Sequence, residues 1–371
     1  MRAFGNEIIR YSLGCDLVSA VLAVSMMAGV PASGMGQNLG GDSMVPDGAK
    51  LPKNTVVAVV TVGAAPFGLA VTPKSDAVYV ANTLSNTVSV ISTATNTVTA
   101  TIPVGNVPQY VAITPDGTTA FVSNNEDSTV SVISTATNTV VATFPVGTAE
   151  TLEDLAVSPD GTQLYTCNFS SGYPPNAVPG FVSIIDTTTF AILNVIQAPY
   201  PSAPTLVQFT VDGKSAYVVN YKSVFQIDTA SQTIVQPDIG SQVIEYNFLG
   251  LAITPNAGTI YVPNYRRWVY AFNATDGSLI KTIVVQKQRR LGWRFEELVV
   301  TPNGRFVYMV VNEESGPILT VIATAHNWVT GSIPIGGGSG TAAACLAVAP
   351  NGKRLYVSSD AGTVTVIDIN P

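Results

Sequence analysis

From Asn86 to Gly105 the chain reads NTVSVISTATNTVTATIPVG. Val88 and Val90 alternate with Thr87 and Ser89, the period of a half-buried strand. STATN then supplies hydroxyl and amide side chains suited to a turn. Val98 to Val104 resumes the apolar–polar alternation as a second strand. Upstream, Leu69–Thr72 and Val78–Ala81 are short apolar runs separated by PKSD, a strand–turn–strand pattern. Four strands in about 40 residues therefore make one unit.

That unit recurs. STVSVISTATNTVVATFPVG at 128–147 nearly copies 86–105 at a displacement of 42 residues. A second phrase, apolar triplet, Thr-Pro-like turn and aromatic, occurs seven times, beginning at Leu69, Val111, Leu155, Val207, Leu251, Leu298 and Leu346. In every copy the turn residue and the aromatic lie six apart, from Pro73 and Tyr79 to Pro350 and Tyr356. Blade four of the series carries Val211 in place of the proline. Repeats of this length with strand content define propeller blades. The reading is all-β: a seven-bladed β-propeller of four-stranded antiparallel blades.

The ends specify closure. The last unit stops at TVTVIDINP, after its third strand. NTVVAVVTVG at 54–63 matches the fourth-strand phrase and lies 42 residues before its copy. The N-terminal strand is thus expected to complete the last blade and close the ring, which removes an open edge. Residues 55–371 form the propeller, about 45 residues per blade. Residues 33–54 are Gly-rich and polar and read as a flexible linker. Residues 1–32 read as a signal peptide: Arg2 and Arg10 precede the apolar run Leu17–Ala32, with Val30 and Ala32 before a cleavage point at Ser33. The expected location is extracytoplasmic, with no membrane span after cleavage.

Composition narrows the function classes. A formal charge of −7 and a pI near 4.7 disfavour a dedicated nucleic-acid binder. Cys167 and Cys345 fall in different repeats and read as small buried hydrophobes, not a bridge. His326, the only histidine, sits in a STATN-like turn, which removes Ser-His and His-rich metal sites from the loop face. No cofactor or metal is expected.

YVAN at 79–82, YVVN at 217–220, YVPN at 261–264 and SNTVSVISTATNTV with its trailing PVG resemble the YVTN-type β-propeller repeat proteins, of the lactonase-like seven-bladed propeller superfamily. The resemblance spans the whole mature chain. It implies export. Similar propellers range from cell-surface and binding proteins to relatives of lactonases, and a periplasmic member binds single-stranded DNA. The resemblance identifies a fold and does not choose among these roles.

Departures from the repeat mark the candidate site. They fall on the face that carries the loops between blades and between second and third strands. Five of nine arginines lie between Arg266 and Arg294. Tyr265, Arg266, Arg267 and Trp268 follow the second strand of blade 5. Arg289, Arg290, Trp293, Arg294 and Glu297 lead into blade 6, and Glu313 lies in its loop. Arginines pair with anionic groups in bidentate fashion, and aromatics supply contact area. These ten residues are the ligand-binding candidates, for a protein partner or an anionic small molecule. Glu150, Glu153 and Asp154 offer oxygens across the ring. The recurrent Asn at 82, 124, 168, 220, 264 and 312 reads as a tight-loop residue in left-handed geometry. A non-enzymatic binding or interaction scaffold is the expected role. A lactonase-like hydrolase using carboxylates at the mouth is the alternative, and single-stranded nucleic-acid binding a further one.

Overall fold

The computed structural model describes residues 54–147, 151–169, 179–199, 203–220, 223–241, 250–264, 268–285, 295–336 and 342–369. Their alternating patterns resolve into 28 strands in seven sheets of four, with no helix among the described residues. β1 (Thr55–Thr61) is followed by blade 1: β2 (Pro66–Val71), β3 (Ala77–Asn82), β4 (Thr87–Ser92) and β5 (Thr97–Pro103). Blade 2 is β6 (Pro108–Ile113), β7 (Thr119–Asn124), β8 (Thr129–Ser134) and β9 (Thr139–Pro145). Blade 3 is β10 (Thr151–Val157), β11 (Gln163–Phe169), β12 (Phe181–Asp186) and β13 (Ile192–Gln197). Blade 4 is β14 (Leu206–Phe209), β15 (Ser215–Asn220), β16 (Ser223–Asp228) and β17 (Thr233–Ile239). Blade 5 is β18 (Ala252–Ile253), β19 (Thr259–Pro263), β20 (Trp268–Asn273) and β21 (Leu279–Val284). Blade 6 is β22 (Phe295–Val300), β23 (Phe306–Glu313), β24 (Gly316–Ala323) and β25 (Trp328–Pro334). Blade 7 has β26 (Ala343–Val348), β27 (Arg354–Ser359) and β28 (Thr363–Asp368).

The ring closes as expected. β1 lies outside β28, antiparallel, from Thr55 opposite Asp368 to Thr61 opposite Thr363. The chain's first described strand thus completes its last blade.

The Thr-Pro phrase specifies a self-satisfied turn. Thr72 Oγ1 accepts the backbone N–H groups of Asp76 and Ala77 at 3.1 and 3.0 Å. Thr114, Ser158, Thr210, Thr254 and Thr301 repeat the bond to the residue five ahead. Gly117 takes φ 75° in the next turn, a conformation that glycine adopts without steric cost.

The core lies between blades. Tyr79, Val88 and Val90 of blade 1 pack with Val111, Ala120 and Val122 of blade 2, and similar clusters fill the other seams. The repeat aromatic does two jobs there. Its ring is buried, and in blades 1, 4, 5 and 6 its hydroxyl crosses to the next blade, whereas the Tyr165 hydroxyl of blade 3 is buried without a partner. Tyr79 donates to Asn138 at 2.6 Å, Tyr261 to Asn327, and Tyr308 to Asn54 at 2.9 Å. Asn138 and Asn327 stand at φ 53° in the STATN-type turns. Where blade 2 carries Phe121, the corresponding turn residue of blade 3 is Phe190, which packs against its cluster and stacks on Phe144 at 4.8 Å. Loss of the donor is matched by loss of the acceptor.

Candidate functional site in the axial channel

The inner strands β2, β6, β10, β14, β18, β22 and β26 surround the propeller axis. The sequence predicts that the first of them starts at Leu69; it starts at Pro66. The added residues hold an irregularity. Pairing shifts register between Pro66 and Leu69, Pro108 and Val111, Leu152 and Leu155, Phe295 and Leu298, and Ala343 and Leu346. A bulge leaves its extra residues out of the ladder and re-aims them. The residues so released include Gly68, Tyr110, Asp154, Glu297 and Cys345, each one position before the repeat phrase. Strands enter from the loop face, so this set lies at the loop-face end of the channel.

The released residues reach across to neighbouring blades. Asp154, 7% exposed, accepts the backbone N–H of Val207 on β14 through Oδ2 at 2.9 Å. Glu297 accepts from the Cys345 thiol and from the backbone N–H of Leu346 on β26. Tyr110 fills the space beside Gly68: a Cβ on that glycine would meet Tyr110 Cδ1 at 2.9 Å and the Gln109 carbonyl oxygen at 2.4 Å. Its ring meets Phe67 edge-on at 5.3 Å. Glu153, half-buried, accepts from Thr151 Oγ1 at 3.1 Å and from Asn125 Nδ2 at 3.4 Å. Cys345 is buried, and its N–H donates to Ser358 Oγ, which donates to the Phe67 carbonyl across the seam between blades 7 and 1.

These groups share one electrostatic environment although they come from blades 2, 3, 6 and 7. Burial pushes Glu297 up to about 7. Burial also holds Asp154 well above the usual carboxylate range, against the Val207 hydrogen bond and with help from Glu297 and Glu153. Glu153 is raised by burial too. The Tyr110 hydroxyl is pushed well up by burial, then by the charges of Cys345, Glu297, Asp154 and Glu153. Burial thus shifts Glu153, Asp154, Glu297 and the Tyr110 hydroxyl in one direction, toward the protonated form. Among the described residues no group of three or more His, Cys, Asp or Glu is placed to hold a metal ion.

The sequence-predicted residues divide. Glu297 lies in this set. Glu313 ends β23 opposite Gly316 in the blade 6 hairpin. Trp268, half-buried, opens β20 and packs against the core between blades 4 and 5, 6.3 Å from the Tyr270 ring. Tyr265, Arg266, Arg267, Arg289, Arg290, Trp293 and Arg294 lie outside the described residues, as does Glu150. Cys167 and Cys345 are buried and form no disulfide with each other. His326 is exposed in its turn, its carbonyl accepting from Lys281 Nζ at 3.0 Å.

The recurrent asparagines correct the expectation of left-handed loop residues. None of the six has positive φ. Asn82 is fully buried at the end of β3: Oδ1 accepts from the Gly63 N–H, and Nδ2 donates to Thr87 and Ser89. Asn124 repeats this with Gly105, Thr129 and Ser131. The side chain ties the entry into a blade to that blade's third strand. Sequence reasoning places Tyr110 among the rim aromatics but reads Cys345 only as a small buried hydrophobe. The signal was present: seven aligned positions read Gly68, Tyr110, Asp154, Leu206, Gly250, Glu297 and Cys345, beside a phrase that hardly varies.

The comparisons agree with the fold. Residues 50–169 match the YNCE-like beta-propeller family. No curated protein sequence matches the chain. Among solved structures, Kuenenia stuttgartiensis hydrazine synthase superposes with a TM-score of 0.71 at 19% identity, over 82% of this chain and 96% of that one. At that identity the likeness is one of fold. The repeat phrase, the seven closed blades and these matches together make the chain a seven-bladed β-propeller, similar over residues 50–169 to the YNCE-like propellers.

Proposed function

We propose that this propeller is a non-enzymatic ligand-binding protein acting outside the cytoplasm, with its site at the loop-face end of the axial channel. One observation carries the reading. Five inner strands break register at the same point, and the residues released there differ in every blade while the flanking repeat is constant. Tyr110, Glu153, Asp154 and Glu297 gather hydrogen-bonding groups beside the inner-strand bulges, the few convergent polar groups that orient a small ligand. Arg266, Arg267, Arg289, Arg290 and Arg294, which the sequence pattern assigns to the same face, suit an anionic group. The ligand is then a small polar molecule with an acidic group at one end and hydroxyls or amines at the other. The apolar run at 17–32 supports export.

Thermal-shift titration of residues 33–371 with sugar acids, lactones, divalent cations and oligonucleotides tests this. A small acid is expected to raise Tm, with the effect lost in Arg290→Ala and weakened in Asp154→Asn. Stabilisation by oligonucleotides alone, falling steeply with salt, would contradict it.

A hydrolase is the second reading, favoured by Glu297. A carboxyl that titrates near 7 is matched to general-base work at neutral pH. Against it, Glu297 and Asp154 already accept backbone N–H groups of neighbouring strands. Turnover of a lactone that disappears in Glu297→Gln would replace the binding reading with this one.

A further inference from the structure

Each blade turns one face toward the next, and a cross-strand row on that face carries the repeat aromatic. In blade 1 the row is Ala70, Tyr79, Val90 and Ala100. In blade 2 it is Ala112, Phe121, Val132 and Ala142, and in blade 7 Ala347, Tyr356, Val366 and Ala58. Blades 3 and 5 place a polar residue only at the outer end, Asn194 and Lys281. In blade 4 the row reads Gln208, Tyr217, Gln226 and Gln236. Three amides face blade 5 where other blades present methyl and isopropyl groups. Tyr217 donates to the Ala274 carbonyl, and Gln226 Nε2 to Ser215 Oγ at 2.8 Å. The Oε1 atoms of Gln208 and Gln236 are sealed from solvent without a hydrogen-bond partner. The adjoining row, Leu206, Val219, Val224 and Ile239, is wholly apolar and buried.

Blade 5 packs its buried apolar residues on this face but brings a short inner strand to it. Its inner strand β18 spans two residues, Ala252–Ile253, against four to seven in the other blades. We infer that the seam between blades 4 and 5 is where the ring opens in the native state. Closing it buries an apolar row but strands two amide oxygens, where the blade 3 row strands one atom, the Tyr165 hydroxyl, and the rows of blades 1, 2 and 7 strand none. Opening wets those amides and exposes Leu206, Val219 and Val224 as a transient apolar crevice. Local opening of this kind draws on the least stable contacts of a fold.

Thiol labelling of the full chain under native conditions tests the inference. Val219→Cys reports on this seam. Native Cys167 holds the same place on blade 3, two residues after Tyr165, and Ala81→Cys does so on blade 1. Peptide mapping after exposure to a maleimide gives each rate. Val219→Cys is expected to label roughly tenfold faster than both references. Restoring the apolar row with Gln208→Ala, Gln226→Val and Gln236→Ala should slow it to their rates. Equal rates at the three positions overturn the inference, and this comparison stands even if the triple variant does not fold. Fast labelling that the triple variant leaves unchanged overturns the role of the amides.

Discussion

Glu297 shows how one residue's surroundings set a property of the whole chain. Its folded-state value is about 7, above an ordinary 4.5, because burial disfavours the carboxylate. A raised carboxyl gives stability that is fully present below the unfolded value and is lost as pH rises through the folded one. Asp154 and Glu153 shift in the same direction. Melting temperature should therefore fall between pH 5 and about 8. Calorimetry across that range should show the slope, and Glu297→Gln should flatten it. Gly68 makes a second prediction. A methyl there meets backbone at 2.4 Å, so Gly68→Ala should destabilise by about 1–3 kcal/mol in urea unfolding. Neither property was legible in the sequence. Glu297 stood out as a charge near arginines, and its burial depends on a bulge that no single repeat announces. The asparagine series was visible as a pattern but misread, because Gly63 and Asn82 meet only when the blade is entered from its neighbour.

Strands and turns were read more fully, since alternation and turn residues are local. Blade boundaries, the six-residue spacing and the N-terminal strand's place beside β28 all follow from the repeat. What the repeat concealed is the bond between elements. Tyr308 reaches Asn54 only because β1 closes the ring. Tyr308→Phe should cost about 1 kcal/mol by denaturant titration. Blade 2 offers the converse experiment. Phe121→Tyr alone should destabilise by roughly 1–3 kcal/mol, because Phe190 offers its hydroxyl no acceptor. Adding Phe190→Asn should recover part of that loss, as the two positions are coupled. Deleting residues 1–62 removes β1 and leaves β28 as an open edge. Such a chain should elute as aggregates in size-exclusion chromatography.

At the scale of the molecule, sevenfold repetition supplies a closed ring, and the departures from repetition supply whatever the ring does. They concentrate where inner strands lose register beside the axis and, in the sequence, at 266–267 and 289–294. The net charge of −7 disfavours polyanions, and the arginines in that stretch of sequence run against it. The most direct measurement is a crystal structure of the protein with the compound that stabilises it best in the titration. The account predicts density for that compound at the loop-face end of the channel, in contact with Tyr110, Asp154 or Glu297. Density only on the outer strands, or on the Thr-Pro turn face, would contradict it.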